Sequence, residues 1–109
     1  MTYTYNPDDV KQRELAPGVM LRTMWGEKVM LSVVEIDANS EVSMHEHPHE
    51  QAGMVLEGEF DFTIGGVTTR VKPGDTYIIP GGVEHGLVAT DQPSKALDIF
   101  SPPREDYMD

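Results

Sequence analysis

The chain has 109 residues, 39% of them hydrophobic, which suits one domain with a single core and excludes disorder of the whole chain. Its formal net charge of −11 excludes nucleic acid and anionic membrane surfaces as partners, because binding to phosphate needs a basic patch. The absence of cysteine excludes disulfides and thiolate chemistry. The sequence also has no signal-peptide pattern and no apolar run of the ~20 residues that a membrane helix needs, so a cytoplasmic protein is predicted.

The N-terminal segment, residues 1–17, is polar and contains Pro7 and Pro17. Its composition predicts an arm with irregular backbone, in which only residues 8–15 could form a helical turn or two. Residues 18–109 are predicted to form the single folded domain, because strand-like patterns begin at residue 18.

Two strands are predicted at the start of this domain. In residues 19–25, Met20, Arg22 and Met24 alternate with the other side chains, which is the two-residue period of a β-strand. We place Arg22 on the inner face of this strand, where it could bind the anionic group of a substrate. Residues 28–36 are rich in β-branched side chains and predict the second strand.

The stretch from residue 43 to residue 57 contains three of the four histidines, His45, His47 and His49, spaced two apart, and Gln51 continues the series. Side chains two apart on an extended strand point to the same face, so several imidazoles can meet at one point. Neutral imidazole is the commonest metal ligand in proteins, and a carboxamide oxygen can complete such a set. The fourth histidine, His85, lies in another strand-like segment, which the fold must bring to the first.

The rest of the chain consists of short strand-like segments with turns between them. Gly65-Gly66 lies between two apolar residues and predicts a two-residue hairpin, since both positions accept a positive φ. Turn-forming residues recur at 72–75, 80–82 and 91–94. Short strands at this spacing, with almost no helical signal, predict an all-β barrel or sandwich.

Two spacings in the sequence form a paired motif. The first is Asn39, five residues, His45-x-His47, three residues, Gln51, six residues and Gly58; the second is Gly74, five residues, Pro80-x-Gly82, two residues and His85. This pair resembles the two signature motifs of the cupin superfamily. The resemblance extends over essentially the whole chain and implies a small antiparallel β-barrel of jelly-roll type.

The resemblance also implies a metal site. Its ligands would be His45, His47, Gln51 and His85, holding one divalent transition ion (nickel, zinc, iron, cobalt, manganese or copper) with positions open for substrate or water. In cupins of this kind, the position of His49 is usually not a ligand. Gln51 departs from the family pattern, which usually has glutamate there. Because glutamine is neutral, the ion would keep its full charge and act as a stronger Lewis acid on an anion, which favours non-redox chemistry.

A closer resemblance rests on residues 45–51, 55–60, 62–66 and 97–107. These segments are similar to the pectin-degradation cupins, which convert cyclic 4,5-unsaturated monouronates from pectin or alginate breakdown into linear 5-keto-4-deoxyuronates. The likeness implies a metal-dependent, non-oxidative ring-opening enzyme whose substrate is a small anionic sugar acid.

Ring opening needs a positioned acid or base, and the predicted last strand offers one. Ala96, Asp98 and Phe100 share one face of this strand, so a barrel-facing Asp98 would be the acid–base group and Phe100 part of the substrate site. Arg104 is a second catalytic candidate, since its guanidinium could bind a substrate carboxylate with two hydrogen bonds. The alternatives are a structural role for Asp98 and an ion pair between Arg104 and nearby acids.

Two other functions are compatible with these residues. One is a different metal cupin enzyme, such as a dioxygenase, a sugar isomerase or a polyketide cyclase. The other is a non-catalytic cupin that binds a small anion or sugar acid. In each case we expect a homodimer formed through barrel edges and the arm of residues 1–17, because open sheets leave unpaired edges.

Overall fold

The computed structural model describes residues 2–108 and confirms the predicted all-β fold. This part of the chain contains ten β-strands and two single turns of 3₁₀ helix, at Pro7–Asp9 and Glu105–Tyr107. The strands are β1 (Gln12–Ala16), β2 (Val19–Trp25), β3 (Met30–Ile36), β4 (Glu41–His45), β5 (Glu50–Glu57), β6 (Phe60–Ile64), β7 (Val67–Val71), β8 (Thr76–Ile79), β9 (His85–Ala89) and β10 (Ser94–Ser101). Residues 1 and 109, the outer limits of the predicted arm and domain, lie outside the described residues. No helix in residues 2–108 has the length and apolar character needed to cross a membrane.

The strands form two antiparallel sheets. The larger sheet has the order β1-β2-β3-β10-β5-β8, and the smaller sheet has the order β4-β9-β6-β7. Their inner faces share one core, in which Met30 and Ile79 from the larger sheet pack with Phe60 and Phe62 from the smaller one. Burying alternate side chains of both sheets in this way gives the small jelly-roll barrel that the sequence predicts.

The hairpin predicted at Gly65-Gly66 is present. Ile64 and Val67 are register partners on either side of it, and the two glycines have φ angles of 57° and 83°. On its other side β6 pairs with β9, where Ile64 is the register partner of His85. The hairpin therefore lies beside the strand that carries a candidate ligand.

The N-terminal segment is more regular than the sequence predicts. Residues 12–16 form β1, which pairs with β2 at the edge of the larger sheet, and the helical turn is confined to Pro7–Asp9. The prediction of irregular backbone is therefore wrong for residues 12–16. The physical reason is that the outer edge of β2 offers unpaired backbone groups, which a preceding segment of extended chain can satisfy. The division of the chain at residue 18 stays a prediction.

Candidate metal centre and cavity

Three histidines meet at one end of the barrel. His45 ends β4 and His85 begins β9, and the two residues are register partners. His47 lies in the connection between β4 and β5. The nearest ring nitrogens of the three side chains lie within 4.8 Å of one another. The pairing of β4 with β9 therefore brings the histidine-rich segment and the distant His85 together, as the sequence predicts.

Each of the three imidazoles is held by a backbone carbonyl. The Nδ1 atom donates to Ser43 O in His45, to His49 O in His47 and to Val83 O in His85, over 2.8, 3.0 and 2.9 Å. A carbonyl only accepts, so the proton of each neutral ring resides on Nδ1 and the lone pair on Nε2. This hydrogen bonding fixes the tautomer and the orientation that metal-binding histidines usually show.

The Nε2 atoms fit a bound cation. His85 is only 2% exposed, and its Nε2 is buried with no hydrogen-bond partner among residues 2–108. The Nε2 of His47 lies 3.0 Å from Oε1 of Gln51, which brings a ring lone pair against a carboxamide oxygen. Buried acceptors that face each other or lack a donor are unfavourable by themselves and are satisfied by a shared positive ion. The donor set suits a divalent transition ion, and Gln51 is placed to contribute its oxygen.

The surroundings of His47 and His85 keep these two rings uncharged. The pKa of His85 is lowered to about 4, chiefly by burial and also by the neighbouring positive groups, while the hydrogen bond to Val83 opposes the shift. Burial also lowers the pKa of His47, with a further contribution from the charge of Arg104. Neutral imidazole is the form that binds metal, so His47 and His85 are ready to bind at neutral pH.

His49 differs from the other histidines in its position. Its ring centroid is 5.7 Å from that of His47, and its side chain is not in the group of converging nitrogens found among the described residues. Its carbonyl, in contrast, accepts the hydrogen bond from His47. The backbone of His49 thus orients a candidate ligand, in keeping with the expectation that its side chain is not one.

The histidine cluster opens into a cavity inside the barrel, about 530 Å³ in volume with its mouth included. The polar side chains on its wall are Ser32, His45, Gln51, Tyr77, His85, Asp98, Arg104 and Tyr107. Ala96, Asp98 and Phe100 all line this cavity, which confirms the predicted inner face of β10. A buried, largely apolar space with a few converging polar groups is the usual form of a small-molecule site.

Asp98 is held within this cavity by two side chains. The hydroxyl of Tyr77 donates to its Oδ1 over 2.5 Å. Burial raises the pKa of Asp98 to about 6, and the hydrogen bonds from Tyr77 and Gln51 limit the rise. A carboxyl group with a pKa near neutrality can both accept and donate a proton under physiological conditions.

Arg104 and Phe100 form the neighbouring wall. The guanidinium lies over both aromatic rings, 5.3 Å from the Phe100 centroid and 4.1 Å from the Tyr107 centroid. It also makes two hydrogen bonds to Asp106, of 3.3 and 2.9 Å. The ion pair considered for Arg104 is therefore present, and because the side chain also lines the cavity, its binding of a substrate carboxylate stays a prediction.

Arg22 lies elsewhere, and its predicted placement on the inner face is wrong. Its Nε donates to Glu35 over 3.0 Å and its Nη1 to the carbonyl of Val10 over 2.8 Å, both outside the cavity. The residues of β2 that are buried in the core include Val19 and Leu21, which have the opposite parity. Both faces of this strand carry apolar residues, so the alternation alone does not tell which face is inward.

The sequence assigned no specific role to the cavity residues Tyr77 and Ser32 or to the neighbouring Gly53. Tyr77 contacts Asp98, Gly53 lies between them in the sheet, and Ser32 is fully buried on the cavity wall, where its hydroxyl has no partner among residues 2–108. One signal was present for Gly53, because a lone glycine inside a strand pattern often marks a close approach of another group. The sequence contains no comparable signal for Tyr77 or Ser32.

Comparisons with known proteins agree with this architecture. Residues 32–100 match the cupin domain family (Cupin_2: Cupin domain). The chain is 29% identical over 103 residues to the pectin degradation protein KdgF of Dickeya dadantii (strain 3937), a match covering 93% of this chain and 94% of that protein. It is 32% identical over 110 residues to H2HPP isomerase of Bacillus subtilis, which covers 94% of this chain and 46% of that protein.

Solved structures give the same result. KdgF from Halomonas sp. superposes with a TM-score of 0.90 at 27% identity, over 99% of this chain and 100% of that chain. The polyketide cyclase RemF from Streptomyces resistomycificus has a TM-score of 0.83 at 26% identity, over 96% of this chain and 82% of that chain. Since the family match spans residues 32–100, which is more than half of the sequence, the chain belongs to the cupin family.

Proposed function

We propose that this cupin is a metal-dependent enzyme that converts cyclic 4,5-unsaturated monouronates into linear 5-keto-4-deoxyuronates. The observation that carries the proposal is the placement of Asp98 in one cavity with the histidine cluster and Arg104. An acid–base carboxyl, a cation site and a guanidinium are the groups that ring opening of an anionic sugar needs. Similarity to two KdgF proteins, one of them named a pectin degradation protein, supports this substrate class.

The metal would be held by His45, His47, Gln51 and His85, all neutral donors. Bound there, a divalent ion would supply Lewis-acid charge for an anionic substrate. The contribution of the chain is to hold the three imidazoles in one tautomer through backbone carbonyls and to keep those of His47 and His85 uncharged by burial. This preparation lets the site bind an ion without a change in the fold.

Substrate binding is assigned to Arg104 and Phe100. Arg104 would bind the uronate carboxylate, because its guanidinium lines the cavity and already donates to a carboxylate, that of Asp106, from two nitrogens. The side chain of Asp106 is 58% exposed, so it can yield this position or share it at a small cost. Phe100 supplies an apolar wall beside His47, with 5.7 Å between ring centroids, against which a sugar ring can lie.

Asp98 is assigned the proton transfers. The conversion is an isomerisation: the bond between C1 and the ring oxygen breaks, the C1 hydroxyl loses its proton to leave an aldehyde, and the resulting enolate becomes a ketone when C4 gains one proton. One group that accepts a proton from oxygen and returns a proton to carbon balances the reaction. The raised pKa of Asp98, about 6, suits a group that must do both near neutral pH.

The test is direct turnover. Unsaturated monouronate, produced by a polyuronate lyase, is added to metal-loaded protein, and loss of the carbon–carbon double bond is followed by ultraviolet absorbance and by NMR of the product. We expect conversion by the wild type and none by Asp98→Ala, with metal content unchanged. Oxygen consumption by the iron-loaded protein would instead favour a dioxygenase. Tight uronate binding without turnover would favour a binding module.

We also propose that the protein is a homodimer formed through barrel edges and the N-terminal segment, with the outer face of the larger sheet as part of the contact surface. Leu31, Met54 and Ile78 lie on this face and are 38%, 41% and 68% exposed. Met54 and Ile78 lie on the neighbouring strands β5 and β8, and Leu31 on β3 is separated from them by β10, whose Ile99 is its register partner. Together these residues form one apolar surface of the kind that marks protein–protein contacts. A second copy of the chain is the expected occupant because closed two-fold dimers are the commonest oligomers.

The proposed setting is the cytoplasm, since a chain without cysteine suits a reducing compartment. Its proposed ligand there is a small anionic sugar acid. Neither nucleic acid nor a membrane surface is proposed as a partner, because the net charge of −11 would repel both.

A further inference from the structure

We propose that Tyr77 is a positioning residue for Asp98 and that Gly53 leaves the space through which the two side chains meet. The inference deepens the proposed function, on which it rests, because it explains how the acid–base carboxyl is aimed. It assigns a role to two residues that do not belong to the histidine cluster.

The contact between Tyr77 and Asp98 spans an intervening strand. Asp98 on β10 is the register partner of Gly53 on β5, and Gly53 is in turn the register partner of Tyr77 on β8. Neighbouring strands lie about 4.8 Å apart, so the backbones of Asp98 and Tyr77 are separated by about 10 Å. Their side chains nevertheless hydrogen-bond, which requires both to lie along the sheet, above Gly53.

Gly53 is the residue that makes room for this contact. A Cβ atom built at this position would lie 2.5 Å from Oδ1 of Asp98 and 2.5 Å from Cε1 and Cζ of Tyr77. Gly53 is not among the glycines with positive φ, so the backbone does not require glycine here. Glycine inside a strand is otherwise unfavourable because of its conformational freedom. The need for space between the two side chains is the physical reason for this residue.

Tyr77 is itself fixed from the opposite sheet. Its ring packs edge-on against Phe62 of β6, with 4.8 Å between centroids and an interplanar angle of 80°. Burial raises the pKa of Tyr77, so its hydroxyl keeps its proton and remains a donor. A carboxyl group bound at one oxygen by a fixed donor loses its rotational freedom, and its proton-transferring oxygen keeps one direction.

The first test is kinetic. Tyr77→Phe retains the ring and removes only the hydroxyl, and we expect kcat to fall by about 10- to 100-fold with KM changed less than about 2-fold. Gly53→Ala should likewise lower kcat with little change in KM. Gly26→Ala, where a Cβ meets no atom within 4 Å, should match the wild type in both. The double variant of Tyr77→Phe and Gly53→Ala should be no slower than the slower single variant, because both changes break one contact.

The second test does not depend on turnover. In zinc-loaded protein, proton NMR should show a downfield hydroxyl resonance that is absent in Tyr77→Phe and present in Tyr3→Phe, a change at a residue 82% exposed. The resonance should be lost or shifted in Gly53→Ala.

If Gly53→Ala keeps both the resonance and full kcat, the proposal is overturned. Should uronate turnover be absent altogether, the proposed function fails, while the resonance still decides whether Gly53 permits the contact. Where Gly53→Ala does not fold, Tyr77→Phe decides alone, and wild-type kcat in that variant refutes positioning.

Discussion

The side chain of Gln51 contacts the histidine cluster and Asp98 at the same time. Its Oε1 lies 3.0 Å from Nε2 of His47, and its amide group hydrogen-bonds to the Asp98 carboxyl, which lowers the pKa of that group. A carboxamide has an acceptor and a donor end, so one side chain can face a cation site and a carboxylate together. A glutamate has only acceptors when ionised and would repel Asp98.

Gln51→Glu should therefore separate metal binding from turnover. The added carboxylate should strengthen binding of a divalent ion, while its charge raises the pKa of Asp98 and removes a donor from it. We expect tighter metal binding by calorimetry and a loss of at least about 10-fold in kcat at neutral pH. Wild-type kcat in this variant would contradict the role given to the amide.

Metal removal should lower the thermal stability of the protein, and this effect should depend on His85 as a ligand but not on His49. An ion present at 100 times its Kd stabilises the folded state by about 2.7 kcal/mol. We expect added nickel or zinc to raise the Tm of the chelator-treated wild type and of His49→Ala, but not of His85→Ala. Differential scanning calorimetry provides the measurement. A metal-dependent shift that survives in His85→Ala and disappears in His49→Ala would reverse the assignment.

Asp98→Asn should stabilise the metal-free protein at neutral pH. The pKa of Asp98 is about 6 in the folded chain, against an ordinary value of 3.8, so the folded state binds this proton more tightly. Protonation of Asp98 therefore contributes fully to the stability of the folded state below about pH 4, and this contribution is lost as the pH rises through about 6. The variant should exceed the wild type by about 1–3 kcal/mol at pH 7.5 and should lose this advantage at about pH 4.

Urea unfolding in the presence of a chelator measures this difference. Asp61→Asn is a control of opposite sign, because the hydrogen bonds from Arg70 hold the pKa of Asp61 below its usual value. It should give no stabilisation at pH 7.5. If Asp98→Asn and the wild type are equally stable at both pH values, burial of the ionised Asp98 carboxyl does not destabilise the folded state.

Arg104→Lys should weaken substrate binding with little effect on the metal site. Lysine keeps the positive charge but cannot make two parallel hydrogen bonds to a carboxylate. We expect KM for the uronate to rise about 10-fold, the effect of losing about one hydrogen bond to a charged group. Arg70→Lys, on an exposed ion pair with Asp61, is the matched control and should leave KM unchanged. An unchanged KM in Arg104→Lys would assign this residue to its pair with Asp106 alone.

Ile78→Lys should convert the proposed dimer into a monomer. A lysine placed on the apolar outer face of the larger sheet would need to be desolvated in the dimer, which is strongly unfavourable. Val88→Lys alters a residue 53% exposed on the smaller sheet and should leave the dimer intact. Sedimentation at micromolar concentration distinguishes these outcomes. A wild-type monomer under the same conditions would refute the dimer itself.

The two-residue period was enough to predict much of this site. It placed Asp98 and Phe100 on one face of β10, and the resemblance of the paired motifs to those of cupins implied that His85 meets His45. It failed for Arg22 because β2 carries apolar side chains on both faces, among them Met20 and Leu21. Periodicity divides a strand into two faces, but only packing against the second sheet decides which of them is buried.

The contact of Tyr77 with Asp98 could not be predicted for a different reason. It depends on β5 lying between β10 and β8 and on a register that sets Gly53 level with both residues. Strand order and register depend on the whole fold, and no local sequence pattern predicts them. A lone glycine in a strand indicates a close approach without naming the groups that approach.

The hydrogen bonds from the three imidazoles to backbone carbonyls have one further consequence. Each joins residues only two positions apart, so the direction of every ring is determined by its own segment of chain. A site prepared in this way can release one ion and take up another while the protein stays folded. Its neutral nitrogen and oxygen donors follow the general affinity series of divalent ions and add little selectivity of their own. The ion carried in a cell would then reflect supply, and protein isolated from nickel-fed and zinc-fed cultures would carry different metals on the same unaltered fold.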